Sequence, residues 1–186
     1  MIMSEQKRKL TNNVINAHIV IGKNEKPAVC LGTQKMYDDG VVDSGYWVDL
    51  TTFFSYDELI NFAQLLFDSD EIVFLNYRNI PLNYVDLNYL EFDKIIEFSE
   101  VDKAYKNPYE AYVYWKDDEA SIEDFSKRYR GFFDTPEMFV NTIYENEGLI
   151  SQLPDWAKDH IDWRSIWASV KDKKYIVLDG YYYFEM

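Results

Sequence analysis

The sequence has one cysteine, Cys30, two histidines, His18 and His160, and seven scattered glycines in 186 residues. A single thiol excludes an internal disulfide framework and a thiolate zinc cage. It suits a reducing cytoplasm without proving one. Two imidazoles exclude a multi-histidine metal site within one chain. No Gly-x-Gly-x-x-Gly loop and no Gly-x-Ser-x-Gly elbow occurs. Apolar runs such as Ile19-Val20-Ile21 and Ile72-Val73-Phe74-Leu75 fall far short of the roughly 20 residues that span a bilayer. Basic residues at Lys7, Arg8 and Lys9 precede no apolar stretch, so no signal peptide is expected. Positive charge is scarce: 19 Lys and Arg stand against 33 Asp and Glu, a net charge of −14 and a pI near 4.5. That excludes a general nucleic-acid-binding face, which needs a basic surface to release counterions.

What is abundant is apolar and acidic. Hydrophobic residues make up 47% and aromatics 18%, enough for a packed core and too many for a disordered acidic tail. Residues 31–125 hold six basic and 21 acidic side chains, a net of −15. Residues 151–186 hold five and six, a net of −1. Duplex DNA carries two phosphates per base pair, so a charge of −15 matches about seven or eight base pairs. The acids are either a solvated surface or one that competes with nucleic acid for a basic groove.

The pattern predicts α+β architecture of small subdomains. Strands are expected at residues 14–22, 28–31, 46–50 and 71–77, with a polar loop at 35–44. Ser55 and Glu58 form a capping box for a helix over 56–67. A helical stretch follows, starting at Asn88, at Pro108 and at Ser121 through Arg130. Thr135-Pro136-Glu137 opens a helix ending near Gly148, a short helical turn covers 155–159, and Asp162 caps a helix over 163–170. Asp179-Gly180 between two β-rich runs marks a hairpin. The expected division is a tail at 1–13, an α+β subdomain at 14–86, an acidic helical middle at 87–130 and a C-terminal α+β subdomain at 131–186. No internal repeat is present.

Catalytic constellations are weak. Cys30 lies in an apolar stretch and reads as a buried structural thiol. His160 and Asp162 could form an acid–base pair, but Asp162 is also a helix cap. Asp38-Asp39 and Asp117-Asp118-Glu119 could hold a hard cation, the basis of a metal-dependent nuclease reading, but adjacent loop acids usually project apart. Tyr181-Tyr182-Tyr183-Phe184 reads as a strand packed on both faces or buried at a subunit interface, in preference to a base-stacking platform.

The order of motifs resembles the ArdA antirestriction proteins of mobile elements, loosely and over nearly the whole chain. Ala17-His18-Ile19-Val20 stands at that family's first strand. Tyr37-Asp38-Asp39-Gly40 and Gly45-Tyr46-Trp47-Val48-Asp49-Leu50 are similar to its Tyr-Asn-x-Gly loop and Gly-x-Trp strand. Residues 71–81 are similar to its Glu-x-x-Ile-x-Asp-Tyr-Glu segment, with Asn76 and Arg78 in place of Asp and Glu. Tyr129-Arg130-Gly131, residues 134–139 and His160-Ile161-Asp162-Trp163 match later motifs, while Arg164 and Ser169 depart from them. The resemblance implies an elongated protein of three small domains, dimeric, in the cytoplasm of a bacterial host, whose acidic surface imitates bent DNA in the groove of a type I restriction–modification enzyme.

The expected function is therefore a non-enzymatic DNA mimic that occupies a defence enzyme's basic groove. An anti-CRISPR protein acting on an RNA-guided nuclease is the alternative within the same biology. A metal-dependent nuclease and an inert acidic interaction module are the alternatives from other classes. The expected partner-binding acids are Asp38, Asp39, Asp43, Asp57, Asp68, Asp70, Glu71, Asp86, Asp93, Glu97, Glu100, Asp102, Asp117, Asp118, Glu119, Glu123 and Asp124. A homodimer is expected through Trp156, Trp163, Trp167, Tyr181 and Tyr183, the alternative being that these aromatics close the core of a monomer. No cofactor, metal, membrane or direct nucleic-acid contact is expected.

Overall fold

The computed structural model describes residues 10–20, 25–41 and 44–186, Asp118 by its backbone only. It is an α+β fold with two antiparallel three-stranded sheets among the described residues. The chain groups into two compact units, one ending at Asp102 and the other running Lys103–Met186. This differs from the expected three-part division. The boundary expected at 130/131 would cut a strand, and the expected helical middle belongs partly to each unit.

In the first unit, β1 (Ala28–Thr33) is the central strand, flanked by β2 (Tyr46–Asp49) and β3 (Ile72–Arg78). β1 is apolar on both faces, and Ala28, Val29, Cys30 and Leu31 are all buried. α3 (Tyr56–Phe67) lies against β1 and β3, and sinks Leu59, Phe62 and Ala63 into the core. Ser55 accepts the Glu58 N–H as its cap, while Glu58 Oε2 accepts from Phe54 N–H at 2.7 Å, one residue beyond the expected reciprocal bond. α4 (Phe92–Glu100) buries Phe92, Ile95 and Phe98.

Two expectations fail in this unit. The segment read as a first strand is helix α1 (Asn12–His18), followed by a single bridge from Ile19 to Val48. Tertiary contact overrides β propensity there: His18 Nδ1 lies 2.8 Å from Thr52 Oγ1, and its ring stacks on Phe53 at 4.3 Å. Residues 1–9 of the expected tail and the last two positions of that strand lie outside the described residues. The expected polar loop begins with a short helix, α2 (Gln34–Asp38), capped by Thr33 accepting from Met36 N–H.

In the second unit the order is β4 (Tyr129–Phe132), β6 (Tyr182–Glu185), β5 (Tyr175–Leu178), with β6 central. Strand alternation gives β6 two different faces. Tyr183 stacks on Phe139 at 4.4 Å and meets Trp167 at 5.6 Å, so this face packs on α7 (Pro136–Asn146) and α9 (Trp163–Val170). Phe184 meets Tyr112 at 5.3 Å and Phe125 at 5.9 Å, so the other face packs on α5 (Lys103–Lys116) and α6 (Ile122–Arg128). The expected strand packed on both faces is what forms.

α5 begins five residues before Pro108, the expected start, and Pro108 is buried within it. Residues 129 and 130, read as the end of a helix, belong to β4. The hairpin turn has Asp179 and Gly180 both at positive φ, 51° and 78°, as a primed turn requires. α8 (Asp155–Lys158) is the short turn between α7 and α9. No helix among the described residues is long and apolar enough to cross a membrane.

Candidate partner-binding surface

Fourteen of the expected acids are exposed: Asp38, Asp39, Asp57, Asp68, Asp70, Glu71, Asp86, Asp93, Glu97, Glu100, Asp102, Asp117, Glu119 and Glu123. Asp124 is half-buried, and Asp43 and the Asp118 side chain lie outside the described residues.

These acids sort by what folding does with them. Asp57, Asp93, Glu123 and Asp124 stand in first helical turns, where the helix dipole favours a carboxylate. Asp86 organises a tight turn, accepting from the N–H groups of Asn88 and Tyr89 at 2.8 Å. Glu123 pairs with Lys127 at 2.6 Å. Asp124 receives the buried Tyr112 hydroxyl and, at 2.8 Å, Arg128 Nε; these bonds, Tyr112 first, hold its carboxyl below the ordinary value. Both residues work for the second unit.

A second set stands at or just beyond helix C-termini. Asp38 closes α2 and Asp39 is its C-cap. Asp68 is the C-cap of α3, in the left-handed conformation, with Asp70 and Glu71 just beyond. Glu97 and Glu100 occupy the last turn of α4, which has no basic residue there. Asp117, Asp118 and Glu119 follow the end of α5. A helix C-terminus carries partial negative charge, so Glu97 and Glu100 each cost about 0.3–1 kcal/mol before any like-charge repulsion. Lysines stand in the last turns of α2 and α5, Asp38 accepts from Gln34 Nε2 at 2.9 Å, and Asp68 and Asp117 take the left-handed conformation that aspartate tolerates better than most residues. On α4, Asp93, Glu97 and Glu100 also share one exposed face at spacings of four and three, opposite the buried Phe92, Ile95 and Phe98.

The other candidates resolve into structural roles. Cys30 is buried, as expected of a structural thiol. Asp162 caps α9 through Ser165 N–H at 3.0 Å and Ser165 Oγ at 2.7 Å, while His160 is exposed beside it. No group of three His, Cys, Asp or Glu among the described residues could hold a metal ion. Arg78, one of the departures from the ArdA pattern, lies 4.6 Å from the Trp47 ring, and Asn76 Oδ1 accepts from Tyr77 N–H at 2.8 Å.

The expected dimer residues separate. Trp167 and Tyr183 are in the core of the second unit, where a second copy could not reach them, and Trp163 is packed against that core. Trp156 is 74% exposed and Tyr181 is exposed beside the hairpin turn. The two-sided packing of β6 accounts for the error: Tyr183 and Phe184 are buried against opposite layers, while Tyr181 lies in the turn before the strand.

One feature was not anticipated. Glu110 and Tyr114 on α5 and Asp179 and Tyr181 at the hairpin turn line a groove of about 520 Å³. Spacing places the first two on one stripe of α5, but the approach of a turn some 65 residues later is not visible in sequence.

No family model matches the chain, and no curated protein matches it.

Proposed function

We propose that the protein is an acidic decoy that binds the nucleic-acid groove of a host defence enzyme, foremost a restriction–modification enzyme. Carboxylates take the place of phosphates against lysine and arginine, and the field of the acidic surface steers the encounter. One observation carries this reading: Glu97 and Glu100 stand in the last turn of α4, which has no basic residue, on one exposed face with Asp93, where they oppose folding. A surface acidic only for solubility has no reason to gather charge at those positions. The resemblance to ArdA proteins rests on the residues quoted above and supports the same target class.

The experiment is a competition assay with purified protein. DNA binding by a type I restriction–modification enzyme and by an RNA-guided nuclease is measured with increasing protein, at salt from about 0.05 to 0.3 M. The expected result is displacement of DNA from the restriction enzyme, weakening steeply as salt rises. Displacement from the RNA-guided nuclease alone would select the anti-CRISPR reading. Inhibition flat across the salt range would overturn the decoy. Cleavage of nucleic acid by the protein with magnesium alone would replace it with an enzyme.

A further inference from the structure

On α5, Glu110, Ala111 and Tyr114 lie at spacings of one and three, close together on one stripe of the helix. This stripe and the turn of the β5–β6 hairpin, with Asp179, Tyr181 and Tyr182, line the groove of about 520 Å³. Ala111 is buried, while Tyr114 and Tyr181 are 51% and 49% exposed. The Tyr181 ring is held from behind by Phe132, stacked at 5.4 Å and 19°. The groove thus combines two aromatic surfaces with two carboxylates, and neither Glu110 nor Asp179 has an ion pair among the described residues. Burial first, and then the Asp179 charge, hold the Glu110 carboxyl above its ordinary value, so a cation between the two would relieve a real opposition.

We propose that this groove is a docking slot for one arginine side chain of a protein partner, the guanidinium between Glu110 and Asp179 with its plane on the Tyr181 ring. The chemistry selects arginine. A guanidinium is planar, weakly hydrated and rich in donors, so it bonds carboxylates and stacks on an aromatic ring at once. A lysine ammonium has the charge without the plane. A hard metal ion takes six or more oxygen ligands, and no group of three His, Cys, Asp or Glu among the described residues could hold one. Nucleic acid is repelled by both carboxylates. The slot lies apart from the helix-end acids and goes beyond the decoy reading: any partner with one protruding arginine satisfies it.

The test uses the full chain and three blocked tripeptides, Gly-Arg-Gly, Gly-Lys-Gly and Gly-Leu-Gly, followed by two-dimensional NMR at about 0.15 M salt. The arginine peptide is expected to shift the amides of residues 107–114 and 179–182 saturably. It should bind at least about threefold more tightly than the lysine peptide, and the leucine peptide should shift nothing. Glu110→Gln and Asp179→Asn should each weaken the arginine peptide by up to about fivefold. Asparagine tolerates the positive φ at position 179, so the turn survives that change. Tyr181→Leu should abolish the preference for arginine over lysine. Shifts spread over the acids of α4, equal binding of arginine and lysine, or no shift at all would overturn the slot. Failure to displace DNA from any defence enzyme, with the slot shifts intact, would count against the decoy alone.

Discussion

Gly45 is required by its neighbours. A Cβ there would stand 2.4 Å from the Leu31 carbonyl oxygen and 2.6 Å from Cys30 Sγ, so the central strand itself would have to move. Gly45→Ala is expected to destabilise the first unit by about 1–3 kcal/mol, read by urea denaturation. Asp49 shows a different dependence. Burial pushes its carboxyl up, but Lys26 at 2.8 Å and the Thr51 hydroxyl and N–H outweigh burial and hold it below the ordinary value. A depressed folded value means stabilisation that is present above the unfolded value near 3.9 and is lost as pH falls through the folded one. Asp49→Asn should therefore cost about 1–3 kcal/mol at pH 7. Its deficit relative to the parent should shrink below about pH 4 in an acid-unfolding series. At this scale the sequence was readable where chemistry is local: Cys30 as a buried thiol, Asp162 as a cap, Ser55 as a cap. It was unreadable where a role depends on a distant partner, as with Trp167 and Tyr183, whose size suggested an interface and whose surroundings are core.

Among elements, α4 separates folding from function. Replacing Glu97 and Glu100 by glutamine removes two charges from a helix C-terminus that has no basic residue. The double variant is expected to be more stable by about 0.5–1.5 kcal/mol by thermal denaturation, and a weaker competitor of DNA. A change that lowers both stability and inhibition would instead tie these acids to the fold. Helices with caps and a clear apolar stripe, such as α3, were legible nearly to the residue. The errors have physical causes. α1 holds one valine, one isoleucine and three asparagines; the β-branched run that suggested a strand begins only after it, at Ile19, and His18 ties the helix to Thr52 and Phe53. Pro108 reads as a helix start, yet α5 runs one turn further back, with the ring buried. β4 exists through its pairing with β6, Phe132 opposite Tyr182, and no local signal announces a partner fifty residues away.

At the scale of the whole molecule, two units with separate sheets replace the expected three subdomains. The α+β class was legible from turn and periodicity signals; the boundary was not, because the charge pattern changes gradually while packing changes sharply after Asp102. Residues 1–102 carry eight basic and 17 acidic side chains, a net of −9, so the first unit holds most of the charge. Tyr183→Ala should destabilise the second unit by about 3–5 kcal/mol. Hydrogen exchange would then rise in β4 to β6 and stay unchanged in β1 to β3.

The position of β6 at the centre of its sheet also orders events during translation. β1 can pair with both neighbours, and Phe98 can join its core, once the residues through Asp102 have emerged and before β6 is made. The second sheet has no such freedom: β4 and β5 have only β6 to pair with, and neither aromatic layer closes until Tyr183 and Phe184 have left the ribosome. A nascent chain stalled within the second unit, with Asp102 clear of the ribosome, thus already displays the more acidic half in folded form, while the other half waits on a single strand.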